Sequence, residues 1–566
     1  MLQKPLPVGI DNFEKMIQGG YYYVDKTWFI KELLDRKGEV NLFTRPRRFG
    51  KTLGISMLQY YFEDTGDDSL NRQHRHLFDG MHIMESGESY LQHMTGYPVI
   101  NLSLKSAKRA SYSSAIFLLC EELGREFDRH RYVLDQLPFE KQQKYQRFLN
   151  GTATQDEYSS SLKFLSEVLF NACGKKVIIL IDEYDVPLEN AWFCGFYNEM
   201  MDFLRSMFES ALKTNPCLEF AVMTGCLRVS RESIFTGLNN LKIISILNHS
   251  YGEYFGFTQK ETDRMLDCYG LSSHLEQVKE WYDGYQFGTA EVYNPWSVTN
   301  YVEMAAANPD ELPAPFWANT SSNSIIKNLV ERADISVKRE LEELIAGGTI
   351  EKPVHEDITY DSIYESDDNL WNFLFFTGYL KKLSIRMEGD IRYVRLAIPN
   401  REIRYIYNHT IMNWFRTEIA GKDLSVLYEA LLNGSANIVQ KELSSLLMES
   451  ISYMDGREEF YHGFLLGILE NMKDYLVKSN RESGFGRYDI AIRHLDVSKT
   501  PVILELKVSN TFKGMEAACD KALAQIRDNH YNDWLPEEGY TRVWDYGIAF
   551  FKKQCRVKAV GVDLVC

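Results

Sequence analysis

Three groups of residues in this 566-residue chain have types and spacings that could do chemistry. The first is Gly50-Lys51-Thr52, within the stretch NLFTRPRRFGKTLGISMLQYY from Asn41 to Tyr61. A hydrophobic run, a short basic loop and a helix opening at Gly-Lys-Thr form the end of a phosphate-binding loop. Successive backbone N–H groups and the helix N-terminus face a phosphate, Lys51 neutralises its charge, and Thr52 reaches a magnesium ion. Arg48, Phe49 and Gly50 belong to the same loop. The general pattern G-x-x-x-x-G-K-[ST] asks for glycine at position 45, and the chain has Arg45 there.

The second group follows an apolar run, Val177 to Ile181, and consists of Asp182 and Glu183. Five apolar residues bounded by charge fit a central parallel strand buried on both faces, and carboxylates at its C-terminal end lie at the mouth of such a sheet. In this Walker B reading Asp182 holds Mg²⁺ through water and Glu183 orients or deprotonates the attacking water. A strand that merely ends in charge would look the same; the upstream Gly-Lys-Thr favours the functional reading. A further strand, Leu218–Met223, ends in Thr224-Gly225-Cys226-Leu227-Arg228. Thr224 is placed to sense a γ-phosphate, and Arg228 to approach it as an arginine supplied in cis.

The third group lies near the C-terminus. Residues 486–492 alternate as a strand, and Pro501–Val508 makes the return strand of a hairpin. Glu505 and Lys507 share one face of it, with Asp489 on the partner strand. An Asp, a Glu and a Lys converging on one face make a metal-dependent phosphodiesterase site, the carboxylates holding Mg²⁺ (or Mn²⁺) and the lysine orienting a water. A third carboxylate is expected from a preceding helix, Phe460–Leu476, with Glu470 chosen over Glu459 and His462. Lys478, Arg481, Arg487 and Arg493 would meet phosphates on the approach, and a helix carrying Gln525 follows.

The elements that must position these groups are an α/β core in the first half and a second α/β unit at the end. Between them a helical region contains NLWNFLFFTGYLKK (Asn369–Lys382) and a hairpin of Leu383–Glu388 and Ile391–Ile398, which suggests a winged-helix-like lid. The expected division is 1–290, 291–435 and 455–566, with hinges at Asn433-Gly434-Ser435 or Met454-Asp455-Gly456. A net charge of −16 argues against a general nucleic-acid coat protein. The acidity sits in the first 454 residues; from Asp455 onward 16 Lys/Arg nearly balance 17 Asp/Glu, so a polyanion is better met there. Nine scattered cysteines without a C-x-x-C pair suggest reduced thiols. No signal peptide or apolar run of membrane-spanning length is present, so no membrane partner and a cytoplasmic location are expected.

With both ends read, the chain resembles bacterial AAA-ATPase-like proteins fused to a C-terminal PD-(D/E)XK nuclease-superfamily domain. The resemblance rests on YYYVDKT (Tyr21–Thr27), TRPRRFGKT (Thr44–Thr52), LIDEYDVPL (Leu180–Leu188), SIFTGLNN (Ser233–Asn240), WYDGYQFG (Trp281–Gly288) and YNPWS (Tyr293–Ser297). It continues through FWANTSSNSII (Phe316–Ile326), FYHGFLLG (Phe460–Gly467), SNRESGFGRYDI (Ser479–Ile490) and ILELKV (Ile503–Val508). It implies a P-loop, AAA/STAND-like parallel-sheet ATPase core with a helical or winged-helix-like lid, then a restriction-endonuclease-like α/β domain. It further implies ATP and Mg²⁺ at Lys51, Thr52, Asp182 and Glu183, and catalysis at Asp489, Glu505 and Lys507. Arg45 agrees with the RPRRFGK form of this family. Gln525 is similar to the Q of a Q-x-x-x-Y helix, but the residue four on is Asn529, and Tyr531 comes two later. The expected function is an ATP-binding, ATP-hydrolysing switch that controls a nuclease acting on DNA or RNA. The alternative is a signalling or scaffold ATPase whose nuclease-like domain binds without cutting. Self-association is left open.

Overall fold

The computed structural model describes residues 3–213, 215–227, 234–235, 238–319, 335–356, 360–408, 423–449, 458–469, 472–483 and 486–564. They form two compact units, one of residues 1–321 and 351–403, the other of residues 322–350 and 404–566. Among the described residues no helix is long and apolar enough to cross a membrane.

The first unit is built on five parallel strands: β1 (Val40–Thr44), β2 (Val99–Ser103), β3 (Val177–Asp182), β4 (Leu218–Gly225) and β5 (Leu241–Ile244). Their order is β2-β3-β4-β1-β5. Every residue of β1 and β3 is buried, as a parallel sheet covered on both faces requires. β4 is thus the strand between the phosphate-loop strand and the acidic strand. The pairings Phe43↔Thr224, Thr44↔Gly225 and Ile181↔Met223 bring Thr44, Asp182 and Thr224 to one edge of the sheet. The helix Lys51–Phe62 leaves that edge and packs along β3 and β4.

After a short hairpin, β6 (Tyr285–Phe287) and β7 (Ala290–Val292), Asn294 caps the helix Pro295–Ala307 by accepting from the backbone N–H groups of Trp296 and Ser297. Proline in the first turn costs nothing there, since its missing N–H would have no helical partner. This accounts for YNPWS as a structural joint. Strands β8 (Ile350–Pro353), β9 (Lys381–Glu388) and β10 (Ile391–Ala397) form a sheet in the order β8-β10-β9, beside the helix Asp367–Phe376. The hairpin read from the sequence is present, and the helix expected over Asn369–Lys382 ends at Phe376, with β9 beginning, after a turn, at Lys381.

In the second unit β11 (Tyr475–Ser483), β12 (Gly486–His494), β13 (Val502–Val508), β14 (Arg542–Phe551) and β15 (Gln554–Asp563) pair in sequence order. Only β13 and β14 are parallel neighbours, linked by the helix Met515–Asp528. Alternation sorts the strand residues onto two faces. Ile490, Ile492, Val502, Leu504 and Leu506 pack with the helices Ser425–Leu432, Ala436–Glu449 and Glu458–Leu469. Ala491 and Ile503 pack with Ile526 and Tyr531 on the other face.

Two expectations change here. The helix expected over Phe460–Leu476 stops at Leu469, because residues from Tyr475 pair as β11. Asn433-Gly434-Ser435 is not a hinge. It is the turn between two helices that share one core with the C-terminal sheet. Gly434 sits at φ +72°, and a Cβ there would lie 2.4 Å from the Trp544 ring, so the turn is clamped. Met454-Asp455-Gly456 lies outside the described residues.

Candidate active sites

The phosphate-loop site begins with two left-handed residues, Arg48 at φ 71° and Gly50 at φ 84°. Gly50 caps the helix Lys51–Phe62, and left-handed residues alternating with ordinary ones turn successive N–H groups toward one concavity. Lys51 is buried, and its Nζ donates to the carbonyls of Arg45 (3.0 Å) and Pro46 (2.9 Å). The Thr52 hydroxyl donates to Asp182 Oδ2 at 2.7 Å, and the Thr224 hydroxyl donates to Asp182 Oδ1. Residues from three segments, 130 and 42 positions apart, thus meet on one carboxylate.

Glu183 stands next to it in a left-handed conformation, φ 54°, which a residue with a Cβ adopts only where its surroundings impose it. They do: the Tyr184 N–H bonds the Thr224 carbonyl at 3.1 Å, and the buried Tyr184 ring lies against Gly225. A Cβ at Gly225 would be 2.4 Å from that ring, so this position must be glycine. Burial pushes the Glu183 carboxyl up, the Asp182 charge adds to this, and Lys51 and Lys105 oppose it. A carboxyl with a raised pKa beside a phosphate site is suited to take a proton.

Arg45 is not part of the cradle. Its side chain is fully buried, donates to the carbonyls of Thr44 and Ile244 at 2.9 Å each, and lies over the rings of Phe255 (5.2 Å) and Phe287 (5.0 Å). Burial lowers its pKa to about 9. The residue in the place of the pattern's first glycine therefore ties the end of β1 to the end of β5. Phe49 is likewise a wedge, packed edge-on against Tyr285 and Phe287. Arg48 is exposed and lies over Trp296 at 4.5 Å. Arg228 lies outside the described residues.

Arg47, given no role by the loop pattern, forms an ion pair with the buried Glu189. Asp185, also buried, accepts from the N–H groups of Cys226 (2.7 Å) and Leu227 (3.0 Å) and so fixes the loop after Thr224. Burial pushes the pKa of the Tyr360 hydroxyl up, the charges of Asp185 and Glu189 add to this, and Arg47 opposes it. The spacing of Asp185 and Glu189, one helical turn apart beyond Asp182, was the available signal.

In the second unit the pairing Ile490↔Leu504 places Asp489 opposite Glu505 on the face shared with Ala491 and Ile503. Asp489 Oδ2 accepts the Leu506 N–H at 2.7 Å, and the Asp489 carbonyl lies 3.0 Å from His462 Nε2. Glu505 is buried and its Oε1 accepts from Lys507 Nζ at 2.9 Å. Asp489, Glu505 and Lys507 are therefore brought together by adjacent strands. His462 reaches this site through backbone, not as a third acid. Glu470 lies outside the described residues, as does the side chain of Glu459. Among the described residues no group of three or more His, Cys, Asp or Glu side chains is placed to share a metal.

Gln525 finds the tyrosine that its spacing seemed to deny it. His530 turns left-handed (φ 56°) at the helix end, and the Tyr531 N–H bonds back to the Ile526 carbonyl at 3.1 Å. This returns the Tyr531 hydroxyl to within 3.2 Å of Gln525 Nε2 and 3.0 Å of Asn529 Nδ2. Arg493, expected on the nucleic-acid approach, is instead paired with Glu538 and lies over Trp534 at 5.5 Å.

The donor sets fit their implied groups. Thr52 and Asp182 at the phosphate loop, and Asp489 and Glu505 on the C-terminal sheet, are hard oxygen donors of the kind that hold Mg²⁺ or Mn²⁺. Lys51 and the N–H groups at the helix start suit a polyphosphate.

Comparison with known proteins finds two families in the chain. Residues 7–235 match the family described as predicted AAA-ATPase, AAA-ATPase-like, and residues 456–560 match the PD-(D/E)XK nuclease superfamily. A protein of Azotobacter chroococcum mcd 1, named only as an uncharacterized protein in the vnfD 5′ region, is 26% identical over 437 residues, covering 76% of this chain and 75% of its own length. The chain thus joins an AAA-ATPase-like domain at residues 7–235 to a PD-(D/E)XK nuclease-superfamily domain at residues 456–560.

Proposed function

We propose that this chain binds and hydrolyses ATP, and that its nucleotide state controls a Mg²⁺-dependent phosphodiesterase acting on nucleic acid in the cytoplasm. The observation that carries the reading is the convergence of Thr52 and Thr224 hydroxyls on Asp182 beside the start of the Lys51–Phe62 helix. In this reading Lys51 leaves the carbonyls of Arg45 and Pro46 for the β- and γ-phosphates, while the helix N–H groups hold the same anion. Mg²⁺, when bound, would be held by Thr52 and Asp182 and would neutralise phosphate charge. Glu183, its carboxyl raised by burial, accepts the proton of the attacking water. Thr224 positions Asp182 and faces the terminal phosphate.

In the C-terminal domain Asp489 and Glu505 would hold a divalent ion, which supplies a water of lowered pKa. The Leu506 N–H fixes the Asp489 carboxylate, and Lys507 orients the water and balances charge developing on the phosphate. Gln525 is fixed by Tyr531.

Cleavage of labelled single- and double-stranded DNA and RNA, with Mg²⁺ or Mn²⁺ and with or without ATP, tests both halves. Cutting of one substrate class that changes when ATP is added is the expected result. No cutting of any substrate under any nucleotide would return the chain to the alternative, an ATPase scaffold that binds without cutting.

A further inference from the structure

The phosphate loop carries a cation that the proposed reaction does not use. Arg47 stands between Pro46 and the left-handed Arg48, and its Nη2 pairs with Glu189 of the helix Val186–Cys194. The Glu189 side chain is only 6% exposed, whereas that of Arg47 is 30% exposed. Nε and Nη1 of Arg47 have no partner among the described residues and stay open to solvent. A guanidinium that served only to neutralise Glu189 would pair with it through two nitrogens, yet Glu189 Oε1 is buried and takes no hydrogen bond from the described residues. The carboxylate thus holds one corner of a rigid planar fork and leaves the other corners to a ligand.

The fork lies on the side of the loop where β4 ends. Cys226 comes two residues after Thr224, and its Sγ is 3.6 Å from Lys51 Nζ. Its N–H is held at 2.7 Å by Asp185, one helical turn before Glu189. Burial pushes the Cys226 thiol up to about 11, Asp185 adds to this, and the charges of Lys51 and Arg47 both oppose it. The two cations therefore approach the same thiol, beside the strand end that carries Thr224.

We infer, on the nucleotide reading above in which Thr224 faces the terminal phosphate, that Arg47 donates to that phosphate and Glu189 is the anchor that aims it. The arginine expected from the loop after Thr224 then comes from the phosphate loop itself. Because Nη2 stays on Glu189, no buried charge is stranded when the ligand binds. A charge-assisted bond from the open nitrogens to a phosphate oxygen contributes about 10–100-fold in affinity. ADP lacks the terminal phosphate, so the contact appears as a preference for the triphosphate.

Calorimetric titration of the full chain with ADP and with the β,γ-imido analogue of ATP, both with Mg²⁺, tests this without turnover. The wild type is expected to prefer the triphosphate, and Arg47→Ala to lose about 10–100-fold of that preference while ADP affinity changes little. Arg47→Ala leaves Glu189 buried without its cation, so Arg47→Met combined with Glu189→Gln removes both charges. The double variant should melt as the wild type does and show the same loss of preference. A preference retained in both variants overturns the inference, and its loss in Arg228→Ala would then give the role to that arginine. Both nucleotides weakened alike overturns it too, since Arg47 would then only shape the loop. A wild type that binds both nucleotides equally overturns it and leaves the nucleotide reading standing; a wild type that binds neither overturns both.

Discussion

Asp182 takes its hydrogen bonds from two threonine hydroxyls, whereas Glu505 takes one from a lysine ammonium. Lys51, for its part, rests on two backbone carbonyls. The phosphate-loop site therefore holds its acid and its base apart, each satisfied by neutral groups that leave its charge available to a ligand. The C-terminal site holds acid and base against each other, so the ion pair must reorganise when a cation arrives. The first arrangement needs three strands of a parallel sheet to bring distant segments together; the second needs only adjacent strands. The difference predicts that substitutions at the two sites will separate into effects on ligand response and effects on chemistry.

The largest effect is expected from Glu505→Ala. It removes one of the two carboxylates proposed to hold the metal and breaks the ion pair with Lys507. Metal-dependent cleavage should fall by about 10³-fold or more, since loss of one member of a cooperating set removes most of what the set does. Glu505→Gln retains the shape and an acceptor for Lys507, so it should fold as the wild type does and cleave no better than the alanine variant. Cleavage rates on the substrate identified for the wild type decide this, and a glutamine variant with near-normal activity would show that the carboxylate charge is not used.

Lys51→Ala comes next. Its carbonyl partners lose only a donor, but a bound phosphate loses a charge-assisted bond worth about 1.5–3 kcal/mol, or roughly 10–100-fold in affinity. The rise in melting temperature produced by ATP should shrink accordingly, while basal cleavage without ATP stays as in the wild type. If basal cleavage fell with the ATP response, Lys51 would be supporting the fold instead of a nucleotide.

Arg45→Gly restores the general phosphate-loop pattern and should nevertheless harm the protein. The guanidinium's two carbonyl bonds and its contacts with Phe255 and Phe287 disappear, leaving a cavity. A loss of about 2–4 kcal/mol in denaturant unfolding is expected. Unchanged stability with tighter ATP binding would make Arg45 a replaceable occupant of the glycine position.

That contrast also marks what the chain's own letters disclose. The acidic strand, the strand ending in Thr224 and the Asp489–Glu505 hairpin were legible because burial on both faces and period-two alternation are local signals. β5 was not read: four residues, two of them only partly buried, make a weak strand signal. The role of Arg45 depends on β5, Phe255 and Phe287, about 200 or more residues away, which no local pattern encodes. Tyr531 was counted along a helix, but the chain reverses at His530, so proximity did not follow sequence spacing. Asn433-Gly434-Ser435 has hinge composition; only the Trp544 ring packed on it shows it to be a clamped turn.

Asp545 sharpens the comparison from a third side and carries the smallest predicted effect. The pairings Ile503↔Asp545 and Glu505↔Gly547 put it on the same sheet face as Glu505. Its donor is neither a hydroxyl nor a lysine but the Asn532 amide, 3.2 Å from Oδ2. Burial without a cation raises its pKa from 3.8 to about 7. Between those values the folded chain retains a proton that the unfolded chain has lost. Asp545 therefore subtracts stability progressively as pH rises through this window, and the loss is complete above about pH 7. Asp545→Asn removes the charge while keeping the shape, so it should raise stability at pH 8 by about 1–3 kcal/mol and leave it little changed near pH 4. The difference in unfolding midpoint between the two proteins, followed against pH, isolates this group from every other titrating residue. A difference that does not grow with pH would mean that Asp545 has a compensating cation, and that the C-terminal sheet holds its acids by a single rule.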